Sequence, residues 1–212
     1  MSHALANLRI NGPRLWDSLM EMAKIGPGIA GGCNRQTLTD ADAEGRALFQ
    51  SWCAAAGMTM GVDAMGTMFM TRAGTDPEAL PVYMGSHLDT QPTGGKYDGV
   101  LGVLGALEAV RTMNDLGIKT RHPIVVVNWA NEEGARFAPA MLASGVFAGV
   151  HTLDYAYARQ DLDGLTYGAE LKRIGWAGDE PVGARKMHAY YELHIEQGPI
   201  LEAEGTTIGV VT

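Results

Sequence analysis

The stretch Ile-Val-Val-Val-Asn-Trp occupies residues 124–129, and Asn-Glu-Glu-Gly follows it at 131–134. Its apolar residues do not alternate with polar ones, which is typical of a strand buried on both faces in a parallel sheet. In open α/β sheets, ligands bind just outside the carboxyl ends of the strands. The stretch therefore predicts a central strand whose end carries the adjacent carboxylates Glu132 and Glu133.

Outward from this strand, the chain alternates between strand-like and helix-like segments. Strands are predicted at Met58–Asp63, Thr67–Thr71, Val82–Ser86 and Tyr190–Ile195, and helices at Pro13–Lys24, after Thr39, at Gly99–Leu116, Pro139–Val150 and Gly168–Ile174. Strands that alternate with helices of this length indicate an α/β fold. We expect a mixed, mostly parallel sheet with helices on both faces.

The composition excludes several classes of protein. The 212 residues are 46% hydrophobic and 19% charged, with a net charge of −8 and no cluster of basic residues. A folded core is therefore expected, and a nucleic-acid partner is not. The longest apolar run, Val100–Leu107, is too short to cross a bilayer, and Met1–Asn11 lacks the apolar stretch of a secretory signal. With only two cysteines, Cys33 and Cys53, and no Cys-x-x-Cys motif, we expect a cytoplasmic protein.

Four polar clusters follow predicted strands or begin a predicted helix. They lie at Gly85–Thr90, Gly94–Gly99, Asn131–Gly134 and His194–Pro199. Taken singly, each has an ordinary explanation as a turn, a solvated surface or a buried histidine. Because the carboxyl ends of neighbouring parallel strands meet at one edge of a sheet, we expect the four clusters to converge there.

The residue types in these clusters suit a metal centre. His87 and His194 offer nitrogen ligands, and Asp98 and Glu133 offer oxygen ligands. Such a mixed set fits Zn²⁺, Mn²⁺, Co²⁺ or Ni²⁺ better than Ca²⁺, and a carboxylate such as Asp98 can bridge two ions.

The neighbours of these ligand types suggest supporting roles. Asp89 is a candidate for orienting His87, since the second N–H of a metal-bound histidine usually meets a carboxylate. At a strand end, Glu132 and Glu133 point in different directions, so one could bind metal while the other moves a proton. A serine-hydrolase motif and a complete phosphate-binding loop are both absent from the sequence.

Three motifs make the chain resemble a known family. Residues 85–99 read Gly-Ser-His-Leu-Asp-Thr-Gln-Pro-Thr-Gly-Gly-Lys-Tyr-Asp-Gly, residues 131–137 read Asn-Glu-Glu-Gly-Ala-Arg-Phe, and residues 192–202 read Glu-Leu-His-Ile-Glu-Gln-Gly-Pro-Ile-Leu-Glu. They resemble the hydantoinase/carbamoylase amidases of the M20 metallopeptidase-like superfamily. The resemblance implies a zinc-peptidase-like catalytic domain that holds two divalent ions.

The resemblance also implies a role for each site residue. The metal ligands would be His87, Asp98, Glu133 and His194, with Asp98 bridging the two ions. Glu132 would be the general base and acid, Asp89 would support His87, and Gln197 would contact the substrate.

The implied reaction is hydrolysis of the carbamoyl C–N bond of an N-carbamoyl-L-amino acid to the amino acid, carbon dioxide and ammonia. Within the family, β-ureidopropionase and allantoate amidohydrolase activities are alternatives. Two further alternatives are an M20 aminoacylase or peptidase and an inactive, truncated metal-binding remnant. The length of the family's chains implies that residues 1–212 are the N-terminal part of the catalytic domain. A lid and dimerisation domain would begin near Thr212, so a homodimer is expected only for the complete protein.

Overall fold

The central feature of the fold is a five-stranded mixed sheet, seen in a computed structural model that describes residues 8–211. The strands are β1 (Thr59–Val62), β2 (Met68–Arg72), β3 (Val82–Ser86), β4 (Ile124–Asn128) and β5 (Ala189–Tyr191), in the order β1-β2-β4-β3-β5. Strand β3 pairs in parallel with β4 and β5, whereas β2 runs antiparallel to β1 and β4. Every residue of β4 is buried, as its sequence predicts.

Seven α-helices surround this sheet within the described residues. They are α1 (Gly12–Met22), α2 (Asp40–Ala55), α3 (Val100–Asp115), α4 (Leu142–Phe147), α5 (Leu153–Tyr157), α6 (Tyr167–Arg173) and α7 (Ile200–Ala203), with a short 3₁₀ turn at Ile29–Gly31. The predicted start of α2 is confirmed, since the Thr39 side chain accepts a hydrogen bond from the Asp42 N–H (3.2 Å). This is the usual way to satisfy a free N–H group at a helix start.

The two faces of the sheet bury different sets of side chains. Residues of α1, α2 and α3 pack on one face against Met68, Met70 and Val126. On the other face, Phe147 of α4 packs with Phe69, Tyr83, Val125, Val127 and Trp129. The expected α/β fold with a mixed sheet covered on both faces is confirmed.

Two predicted elements are shorter in the structure. The helix expected over Pro139–Val150 is restricted to α4, because Met141 has a left-handed backbone (φ +53°). The N–H groups of Met141 and Leu142 instead donate to the carbonyls of Glu132 (2.6 Å) and Asn131 (3.2 Å). The segment before α4 therefore closes the loop that carries the two glutamates.

The strand expected over Tyr190–Ile195 ends at Tyr191, where its pairing with β3 ends at Met84. Beyond that point the chain turns toward α3, so His194 lies outside the sheet. No helix among residues 8–211 is both long enough and apolar enough to cross a membrane.

Candidate metal centre and active site

The predicted site residues come together at the carboxyl ends of β3, β4 and β5. His87 directly follows β3, Glu132 lies in the loop after β4, and His194 follows β5. Asp98 lies two residues before the first residue of α3. The parallel arrangement of β4, β3 and β5 thus brings segments more than 100 residues apart to one edge of the sheet.

His87, Asp98 and His194 form a cluster of three potential metal ligands. One ligand atom from each lies within 4.8 Å of the other two. Asp98 Oδ1 lies 3.8 Å from His87 Nε2 and 3.2 Å from His194 Nε2. The centroids of the two imidazole rings are 6.0 Å apart, and the same carboxylate oxygen faces the Nε2 atoms of both rings. A carboxylate in this position could bind a cation together with either imidazole.

Gly99 allows this close packing. It has φ +64°, and a Cβ atom added there would overlap the imidazole of His87. Glycine adopts this left-handed conformation without a steric penalty. Any other residue at position 99 would therefore displace the first ligand of the cluster.

Glu132 lies beside the cluster, with Oε2 3.3 Å from His87 Nε2. Burial raises the pKa of Glu132 above its ordinary value, the nearby His87 opposes this, and the Glu133 charge adds to the rise. For His87, burial lowers the pKa, but the carboxylates of Asp89 and Glu132 outweigh it, so the imidazole pKa is raised. The buried His87 and the half-buried Glu132 thus form a pair in which a proton can be held.

Asp89 supports the site differently from the sequence prediction. His87 Nδ1 lies 2.8 Å from the backbone carbonyl oxygen of Asp89, but 3.8 Å from its carboxylate. The carboxylate accepts hydrogen bonds from the N–H groups of Glu132 (3.2 Å) and Glu133 (3.3 Å). Burial raises the pKa of Asp89 to about 6. Asp89 therefore orients His87 through its main chain and the glutamate loop through its side chain.

Glu133 is not among the three clustered ligands. Its Oε2 accepts a hydrogen bond from Gln91 Nε2 (3.0 Å), and its Oε1 is buried without a hydrogen-bond partner among the described residues. A buried carboxylate oxygen without a partner is energetically unfavourable unless a cation or donor meets it. The free oxygen and the mixed nitrogen and oxygen donors of the cluster together fit divalent metal ions.

Gln197 contacts the cluster directly. Its Nε2 donates a 2.6 Å hydrogen bond to Asp98 Oδ2, while Asp98 Oδ1 faces the histidines. The backbone of Gln197 is left-handed (φ +56°), which is uncommon for a residue other than glycine and is enriched at functional sites. In this structure Gln197 fixes Asp98, whereas the sequence suggested a contact with substrate.

Sequence reasoning missed several residues that hold the site in place. The buried Arg35 donates to the carbonyl of Leu88 (3.0 Å), and Asn128 accepts from the Leu88 N–H (2.8 Å). Glu192 accepts a hydrogen bond from Ser86 (2.5 Å). Of these residues, Asn128 could have been singled out from the sequence, because it is a polar residue in an otherwise apolar run. Arg35 and Glu192 could not, because their hydrogen-bond partners are distant in sequence.

The fold and this site define the class of protein. Residues 83–211 match the profile of Peptidase family M20/M25/M40, and the chain belongs to this family. The match covers more than half of the chain and includes all seven predicted site residues.

Individual relatives extend the comparison. The chain is 81% identical over 206 residues to an N-carbamoyl-L-amino-acid amidohydrolase from Rhizobium meliloti, covering 97% of this chain and 50% of that protein. It is 34% identical to a ureidoglycolate hydrolase from Arabidopsis thaliana, covering 98% of this chain and 45% of that protein.

Among solved structures, a hydantoinase/carbamoylase family amidase from Burkholderia multivorans has a TM-score of 0.91 and 61% identity. That match covers 93% of this chain and 48% of the amidase. The chain thus spans about half the length of the curated relatives it matches.

Proposed function

We propose that this chain forms the metal-binding, N-terminal part of an amidohydrolase that acts on N-carbamoyl-L-amino acids. One observation carries the proposal: Glu132 lies 3.3 Å from His87, beside the cluster of His87, Asp98 and His194, in a chain 81% identical to an N-carbamoyl-L-amino-acid amidohydrolase. In this proposal the lid and dimerisation domain follows residue 212, and the complete protein is a homodimer.

In this proposal His87, Asp98, Glu133 and His194 would hold two divalent ions of Mn, Zn, Co or Ni, and Asp98 would be the ligand that they share. Bound divalent ions lower the pKa of a water molecule and polarise the carbamoyl carbonyl group. The unpartnered Glu133 Oε1 and the short distances from Asp98 Oδ1 to both imidazoles support this ligand set.

Glu132 acts as the proton carrier in the proposed reaction. It takes a proton from the attacking water and delivers it to the nitrogen of the departing amino acid. The carbamoyl C–N bond breaks, and the carbamic acid that remains decomposes to carbon dioxide and ammonia. Asp89 accepts a hydrogen bond from the backbone N–H of Glu132, which keeps the Glu132 carboxylate beside the cluster. In this proposal Gln197, which lies beside Asp98, contacts the substrate.

A reducing cytoplasm suits this protein, because Cys33 and Cys53 are both buried and unpaired. A small N-carbamoyl amino acid is the proposed partner, and neither a nucleic acid nor a membrane is needed for the reaction.

A substrate panel with the complete protein tests the proposal. We expect N-carbamoyl-L-amino acids to be hydrolysed faster than N-carbamoyl-β-alanine, allantoate, N-formyl amino acids or dipeptides, and a chelator to abolish the activity. The likeness to a ureidoglycolate hydrolase makes ureidoglycolate the second candidate substrate. Preference for ureidoglycolate or a dipeptide would overturn the substrate assignment, and metal binding without turnover of any of these would indicate a non-catalytic protein.

A further inference from the structure

The segment that carries His194 has little support from the sheet. Strand β5 has only three residues, and its pairing with β3 ends at Tyr191. His194 lies three residues further along. Within the described residues, the hydrogen-bond partner of its Nδ1 is the carbonyl oxygen of the neighbouring Ile195 (2.9 Å). Other contacts must therefore determine where this imidazole lies relative to His87.

The side chain of Glu192 supplies such a contact. Its Oε1 accepts a 2.5 Å hydrogen bond from the hydroxyl of Ser86, and its Oε2 accepts a 2.8 Å hydrogen bond from the hydroxyl of Tyr190. The Tyr190 hydroxyl also accepts a hydrogen bond from Trp129 Nε1 (3.1 Å). Glu192 is thus connected to the ends of both β3 and β4, just past the point where the pairing between β5 and β3 stops.

Ser86 and Glu192, which share this hydrogen bond, each lie just before one of the two histidines of the cluster. Ser86 is fully buried and directly precedes His87, and Glu192 lies two residues before His194. Between them, the backbone of Leu193 packs closely on α3, where a Cβ atom added at Gly102 would lie 2.6 Å from the Leu193 carbonyl oxygen. The Ser86–Glu192 hydrogen bond therefore joins the two segments that end in the imidazoles.

The geometry points to Glu192 as a positioning residue that sets the distance between His87 and His194 through its hydrogen bond to Ser86. This inference rests on the proposed metal site. Glu192 is not one of the three clustered ligands; it acts on the cluster by holding the segment of His194 against β3. Residues that orient metal ligands in this indirect way typically change metal affinity by about 10- to 100-fold when they are replaced.

A metal titration of the purified chain tests this role. Isothermal titration with Zn²⁺ is compared for the unchanged chain, Glu192→Ala, Ser86→Ala and the double variant. We expect each single variant to bind Zn²⁺ at least about 10-fold more weakly, and the double variant to be no weaker than the weaker single one, since both changes remove the same contact. Glu192→Gln, whose amide oxygen can still accept from one hydroxyl, should recover part of the affinity.

Controls separate positioning from general stability. Glu202→Ala changes an exposed glutamate on α7 and should leave Zn²⁺ affinity unchanged. A purely structural role for Glu192 would lower the melting temperature without changing Zn²⁺ affinity. Affinity of Glu192→Ala within twofold of the unchanged chain, or losses in the two single variants that multiply in the double variant, would overturn the inference.

A structural readout keeps the test independent of metal binding. In crystal structures without metal, the 6.0 Å separation of the His87 and His194 rings should widen in Glu192→Ala and stay the same in Glu202→Ala. If the unchanged chain binds no Zn²⁺, the proposed metal site fails, and this separation still decides whether Glu192 positions His194. An unchanged separation in Glu192→Ala would refute the positioning role.

Discussion

At the scale of single residues, the site combines groups that are predictable one by one with contacts that are not. The sequence identifies His87 and Asp98 as ligand types, and the structure places them 3.8 Å apart. It does not reveal that Asp89 would use its carbonyl for His87 and its carboxylate for the glutamate loop. Such a division depends on backbone direction after β3, which a short motif does not encode.

Replacing Glu132 by glutamine tests the proton carrier. The amide keeps the shape of the side chain but cannot accept a proton, so we expect hydrolysis by the complete protein to fall by about 10²- to 10⁴-fold. Metal content, measured by atomic emission, should remain unchanged. Glu44→Gln, on the exposed side of α2, serves as the matched control and should retain full activity. Retained activity in Glu132→Gln would remove Glu132 as the base.

Replacing Gly99 by alanine tests the close packing against His87. The new methyl group would overlap the imidazole, and φ +64° is strained for alanine. We expect Zn²⁺ affinity at least about 10-fold weaker, with the far-ultraviolet circular dichroism spectrum preserved. Gly95→Ala is the control, because a Cβ atom there meets no atom within 4 Å. Equal affinities in the two variants would show that the packing of Gly99 is unimportant for the site.

At the scale of secondary-structure elements, predictions succeed where one physical pattern governs a segment. Strand β3 has the predicted bounds, and the apolar run at 124–129 forms the buried β4. The failures lie where side chains compete with regular pairing. The strand predicted through Ile195 stops at Tyr191, where the hydrogen bonds of Glu192 replace those of the backbone.

The turn between β1 and β2 gives a prediction of pH dependence. Asp63 is buried and accepts hydrogen bonds from the N–H groups of Met65 and Thr67 (both 2.9 Å), while its second oxygen has no partner among the described residues. Burial raises the pKa of Asp63 to about 6 from an ordinary 3.8. The folded state therefore binds a proton on the Asp63 carboxylate more tightly than the unfolded state does.

The free energy of unfolding should consequently fall as pH rises from about 4 to about 6 and then level off. A shift of this size corresponds to a decrease on the order of 2–3 kcal/mol from this residue. Urea unfolding across this pH range should show a flatter profile for Asp63→Asn, because an amide does not titrate there. Its amide oxygen can still accept the same N–H groups, so the turn is kept. Asp17→Asn, an exposed change on α1, should leave the profile unaltered. Identical profiles for Asp63→Asn and the unchanged chain would contradict the prediction.

At the scale of the whole molecule, the site lies at the less supported end of the sheet. The core between the sheet and helices α1–α3 is well packed, whereas large apolar side chains after β5 are exposed, among them Leu193 (45%), Ile200 (62%) and Ile208 (65%). Exposed apolar patches usually mark surfaces that meet another molecule or segment. The cluster therefore has one side next to the packed core, at β3 and β4, and one side next to exposed apolar side chains, at His194.

This asymmetry predicts how the 212-residue chain behaves by itself. Its relatives are about twice as long, and a site open to water on the side of His194 stabilises developing charge poorly, since electrostatic catalysis needs a preorganised, water-excluded environment. We expect the purified chain to bind Zn²⁺ or Mn²⁺ weakly and to hydrolyse N-carbamoyl-L-amino acids slowly or not at all. Titration calorimetry and an ammonia-release assay, run beside a version extended to the length of the relatives, measure both quantities. Full-rate hydrolysis by the 212-residue chain would contradict this prediction. It would show that Glu132 and the cluster at His87 suffice for catalysis.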